Sequence, residues 1–162
     1  MVKKMIFAIL VFLPSWVIGA ANTGLRFDEP LVFRNDPIKL VVKIEKSKTE
    51  EICQGSNSRR WGSEYICPNW QITQFDLSFE EKPVFIPYSA FSDLGDPTLI
   101  QIEKDDNRHI YLIKIEGGDA TTSYRATLKF QANLLLERIV RHSEFPDDAW
   151  EKTIYKFNTD ER

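Results

Sequence analysis

Two histidines, two cysteines and an Arg-Arg-Trp run are the side chains of this sequence best equipped for chemistry. His109 and His142 are the only histidines, and each directly follows an arginine. A nucleophile and base pair would need one of them within hydrogen-bond reach of a Ser or Cys, and the chain has no Gly-x-Ser-x-Gly elbow to present a serine. Both imidazoles are therefore read as structural or solvated, and no residue is assigned a catalytic role. Carboxylates occur as the adjacent pairs Glu80-Glu81, Asp105-Asp106 and Asp147-Asp148. Neighbours on a strand point to opposite faces, and in a turn both face water, so adjacency does not build the spaced acid and base of glycoside hydrolysis. Neither the Asp105-Asp106-Asn107 run nor the Asp93 and Asp96 pair has the spacing of a calcium loop. No metal site and no cofactor are assigned.

Cys53 and Cys67 are the only cysteines, and they bracket Arg59, Arg60 and Trp61. Arginine and tryptophan are the types most enriched at binding hot spots, and a crosslinked loop loses less entropy on engaging a target. Arg59, Arg60 and Trp61 are thus the candidate binding residues, displayed among Gly55, Ser56, Asn57, Ser58, Gly62 and Ser63. The competing expectation is that Trp61 folds back onto the core while the arginines pair with Glu50, Glu51 and Glu64.

What the cysteines do depends on where the chain goes. Lys3 and Lys4 precede an apolar run from Met5 to Ile18, broken by Pro14 and Ser15, and Gly19-Ala20-Ala21 follows. A basic start, an apolar middle and small residues at the cut are the three parts of a secretory signal peptide. Residues 1–21 are expected to be removed. The apolar run is shorter than the roughly 20 residues a spanning helix needs, and Asn22 follows the cut where lipid attachment would require cysteine. An exported, periplasmic or secreted protein without a membrane anchor is expected. An oxidising compartment then favours a Cys53–Cys67 disulfide. It would close a loop of 15 residues, worth about 3 kcal/mol in the chain-entropy model.

Removing 21 of 162 residues leaves 141, enough for one domain, residues 22–162, with a core of its own. The net charge of −3 becomes −5 when the two leader lysines go. A net acidic surface disfavours nucleic acid as partner.

Strand periodicity runs through this domain. Ile38, Leu40, Val42 and Ile44 alternate with wetter neighbours. Trp70 and Ile72 share one parity and Phe75, Leu77 and Phe79 the other, which predicts a bulge near Thr73 and Gln74. Glu80 to Pro83 reads as a turn, and Pro87 predicts that the strand carrying Val84 and Ile86 lies at an edge or ends there. Ser89 to Gly95 reads as one helical turn. Four strands follow, over 98–104, 109–116, 123–131 and 134–141, separated by turn residues that predict hairpins. A second helical turn is expected around Pro146 to Trp150 and a last strand over 153–158. The total is an all-β, mainly antiparallel sandwich or small barrel of about seven or eight strands with one or two helical turns. Residues 110–115, Ile-Tyr-Leu-Ile-Lys-Ile, are apolar at both parities. They call for cover on both faces, from a helical turn or the cysteine loop or from a partner or second subunit.

These readings converge on a non-enzymatic exported protein that acts on a protein partner by contact. The expected type is an inhibitor or immunity protein that neutralises an envelope-acting hydrolase or toxin. The alternatives are a cell-wall or carbohydrate-active enzyme using Asp147 or Asp148 beside Trp150, and an accessory factor of envelope assembly.

Overall fold

The computed structural model describes residues 29–47, 60–63, 67–105, 109–145 and 147–157. Residues 1–21, expected as a signal peptide, and Cys53, Arg59 and Pro146 lie outside them. Among the described residues nine strands form two antiparallel meanders. The first sheet runs β1 (Leu31–Asn35), β2 (Ile38–Lys46), β3 (Trp70–Phe79) and β4 (Lys82–Val84), in that spatial order. The second runs β5 (Pro97–Asp105), β6 (Ile110–Gly117), β7 (Tyr124–Gln131), β8 (Leu134–His142) and β9 (Ala149–Ile154). The sheets stack as a sandwich and do not close into a barrel. Between them lie Leu40, Val42, Phe75 and Leu77 from one sheet and Ile100, Ile113, Ile115, Leu128 and Phe130 from the other, all buried. Each such side chain contributes about 1.5–3 kcal/mol when taken out of water. On one flank β1 meets β5, where the Asn35 amide donates to the Ile102 carbonyl at 3.3 Å.

The predicted bulge is present: Lys43 pairs with Gln74 but Ile44 with Ile72, leaving Thr73 as the extra residue. It turns Ile72 and Phe75, three apart, to the same buried side. Glu80 and Glu81 make the whole β3–β4 turn, both at positive φ, as a type I′ hairpin turn requires. Lys82 and Pro83 already belong to β4, which is a three-residue edge strand.

Two expectations are corrected and one strand is added. β1 was not anticipated; only Phe33 of its five side chains is buried, so its apolar alternation is faint. Among the described residues no helical turn forms around Trp150. Asp148 N–H donates to the Phe145 carbonyl at 3.2 Å in a turn, and the last strand starts at Ala149 and ends at Ile154 because β8 offers a ladder for it. The helical turn expected over Ser89 to Gly95 is a 3₁₀ turn at Tyr88–Ala90. As for the doubly apolar β6, Tyr111, Ile113 and Ile115 are buried, whereas Ile110, Leu112 and Lys114 on its other side are half-buried. That second side carries ion pairs, Lys114 to Glu103 and Arg125 to Glu116, both at 2.6 Å. Their aliphatic stems shield apolar neighbours without a second layer.

Meander parity sorts the connections. One end of the sandwich carries the short turns at 36–37, 80–81 and 132–133 and the connection at 106–109. The opposite end carries the connections at 47–69, 85–96, 118–123 and 143–148. Long connections on a rigid scaffold are where binding surfaces are usually built.

Candidate functional site

Backbone hydrogen bonds knit the long-connection end together. Ser47 N–H donates to the Asn69 carbonyl at 2.8 Å, joining the two sides of the cysteine loop at its base. Trp61 N–H donates to the Asp93 carbonyl at 2.8 Å, and Gly95 N–H donates back to the Trp61 carbonyl at 2.9 Å. Trp61 thereby forms a parallel bridge with Leu94. Asp96 accepts from Trp70 N–H at 2.9 Å and Asn69 N–H at 3.2 Å, and Gly118 N–H donates to its carbonyl at 3.0 Å. Tyr124, fully buried, donates its hydroxyl to the Gly95 carbonyl at 3.0 Å. Burial holds that phenol protonated well above its usual range. Gly62 and Gly118, both at positive φ, let these backbones meet: a Cβ on Gly62 would lie 2.5 Å from the Gly95 oxygen.

The side chains at this end form a ridge. Trp61 is half-buried and stacks on Trp150 with ring centres 5.2 Å apart and planes 18° apart. Trp150 meets His142 edge to face at 5.0 Å, and His142 in turn carries Phe145 at 5.1 Å. His142 is buried and its Nδ1 accepts from Glu144 N–H at 3.1 Å. Trp150 stays 39% exposed and Phe145 64%. Trp150 can reach this position because it is a bulge residue: Val140 pairs with Glu151 but Arg141 with Ala149.

Beneath the ridge, Arg138 on β8 is 3% exposed. Its Nη2 donates to both Asp93 carboxylate oxygens, at 2.7 and 2.8 Å, and its Nη1 to Glu151 at 2.7 Å. Thr153 also donates to Glu151, at 2.9 Å. One guanidinium thus ties the 85–96 connection to β8 and β9. Burial raises the Asp93 carboxyl above its ordinary value, with the Arg138 charge pulling the other way. The Tyr155 hydroxyl is raised as well, again first by burial.

Comparison with protein-family models, with curated proteins and with solved structures finds no match.

Of the candidate binding residues, Trp61 is an anchor of the loop base, and Arg60 donates from Nη1 to the Gln71 side chain on β3 at 2.7 Å. Arg59 lies outside the described residues. No described cysteine is free, and Cys53 lies outside the described residues. The histidines fall at opposite ends of the sandwich, His109 exposed after the short β5–β6 connection and His142 under the ridge. Asp147 and Asp148 are exposed in the β8–β9 connection. Among the described residues no three metal-ligating side chains gather, and no helix is long and apolar enough to cross a membrane.

Arg138 and Glu151 did not stand out in the sequence, and Asp93 drew notice only beside Asp96 as a calcium candidate. The available signal was that Arg138 shares strand parity with Val140. It is obscured because Leu136 is an extra residue, with Phe130 opposite Leu135 and Lys129 opposite Glu137.

Proposed function

We propose that this is an exported, non-enzymatic binding protein that acts by contact through its long-connection end, as an inhibitor or immunity-type protein against an envelope-acting hydrolase or toxin. The observation that carries this reading is the aromatic ridge. Trp61, Trp150, His142 and Phe145 link the cysteine loop and the β8–β9 connection into one surface, so two candidate regions far apart in sequence become one. Rigid aromatics held partly exposed lose little entropy on binding, which is the usual makeup of a hot spot. A Cys53–Cys67 bridge would add to this by shortening the loop that leads into Trp61. The signal peptide expected over residues 1–21 supports a site of action in the periplasm or outside the cell.

The carboxylate-enzyme alternative has less support. Asp147 and Asp148 are adjacent, exposed side chains of the β8–β9 connection, whereas catalysis by a carboxylate pair needs two acids spaced apart and facing a bound substrate.

The test is capture from envelope extract by the mature protein. Wild type should retain one stoichiometric partner, and Phe145→Ala and Arg59→Ala should each cut retention about tenfold while the melting temperature stays within about 2 °C, the range of surface substitutions. Val32→Ala, at the far edge of the first sheet, should capture as wild type does. Normal capture by both Phe145→Ala and Arg59→Ala would remove the proposal. Trp61→Ala is a poor probe because the residue packs into the fold.

A further inference from the structure

Resting on the reading above, we infer that the partner presents a cationic protein surface with an apolar recess, and that Phe145 enters the recess. Phe145 is the most exposed member of the ridge, yet it is fixed in place. Its ring lies on the buried His142, whose Nδ1 accepts from Glu144 N–H, and its carbonyl accepts from Asp148 N–H across the turn. A large apolar side chain positioned outward on a buried support is preorganised for insertion rather than for packing within its own chain.

The chemistry of the occupant follows from what surrounds this ring. Glu144, Asp147 and Asp148 are the charged described side chains of the connection, and all three are exposed. None has an ion-pair partner among the described residues, in contrast to Glu103, Glu116 and Glu137 on the second sheet, each held by a cation at 2.6 to 2.7 Å. Three uncompensated negative charges around one apolar anchor repel an anionic lipid surface, a nucleic acid or a second copy of this acidic chain. They complement Lys and Arg at the rim of an apolar pocket. Net acidity of the whole chain acts in the same direction on the approach of a basic protein.

Site-specific photo-cross-linking in the exporting cells tests this, with Phe145→p-benzoylphenylalanine as the probe and the same replacement at Arg59 and Val32 in parallel. Position 145 should give one adduct with a protein of basic isoelectric point. Asp147→Lys with Asp148→Lys should reduce it about tenfold, the Asn pair should fall between, and raised salt should weaken the complex. All of these variants should melt as wild type does, because the replaced carboxylates hold no other group. An adduct with an acidic protein, with a lipid or with a second copy of the chain would overturn the inference, as would one insensitive to charge reversal. An adduct from 59 with none from 145 overturns it and leaves the proposed function standing. No adduct from either position sinks both.

Discussion

Replacing Arg138 with methionine tests the account of how the long-connection end is held. The arginine side chain is 4% exposed and its partners Asp93 and Glu151 are 23% and 31% exposed. Removing one partner of a fully buried pair costs about 3–5 kcal/mol, chiefly because the other charge is stranded. Here the stranded carboxylates keep some water. Methionine also retains part of the apolar stem and eliminates Nε, a buried donor with no partner. Those terms reduce the expected loss to about 2–3 kcal/mol. At about 3 °C per kcal/mol for a chain of this size, the melting temperature should fall by about 6–9 °C. The pH dependence follows from Asp93. Burial already raises its pKa and Arg138 opposes that rise, so the variant raises it further. A carboxyl with a raised native pKa binds its proton more tightly folded than unfolded, so its contribution to stability falls as pH climbs from the ordinary carboxylate range through the native value. The gap between wild type and Arg138→Met is therefore widest near pH 7 and narrows toward about pH 4. Urea unfolding at both pH values measures it. Asp93→Asn should destabilise wild type but recover stability in the Arg138→Met background. A gap below about 0.5 kcal/mol at neutral pH, or one of equal size at both, would refute the reasoning.

Two further substitutions probe the same region. Gly62→Ala places a methyl 2.5 Å from the Gly95 oxygen and 2.6 Å from the Tyr124 ring at φ +85°, and should cost about 2 kcal/mol or more; calorimetry showing an unchanged transition would count against the close approach. Tyr124→Phe leaves the Gly95 carbonyl without its buried donor and should cost about 1–2 kcal/mol by denaturant titration, with amide exchange at Gly95 and Trp61 accelerated.

Much of the sandwich was legible because a strand with one buried face writes its register into the sequence at a period of two. Ile38 to Ile44 and the slip at Thr73 follow from that period, and the intervening turn residues mark out the first four of the five strands of the second meander. The period fails where its premise fails. β1 buries one side chain, so it carries little signal. In β8 the extra Leu136 disguises which parity faces inward, and with it the role of Arg138. Trp150 looked like part of a helical turn because Asp147 and Asp148 resemble a helix start, whereas pairing with β8 decides its conformation.

The candidate site divides in the same way. Residue type alone marked Arg59, Arg60, Trp61 and the acids beside Trp150, since arginine, tryptophan and carboxylates have recognisable chemistry wherever they lie. Their spatial relation depended on meander parity, which brings the 47–69, 85–96 and 143–148 connections to one end. Only the tertiary structure decided that Trp61 stacks on Trp150, 89 positions away in sequence, and that Arg138 clasps Asp93 across 45. Local pattern determines the faces of strands because alternation is a property of neighbouring residues. Contacts between connections are set by how whole sheets stack, and no short stretch of sequence encodes that.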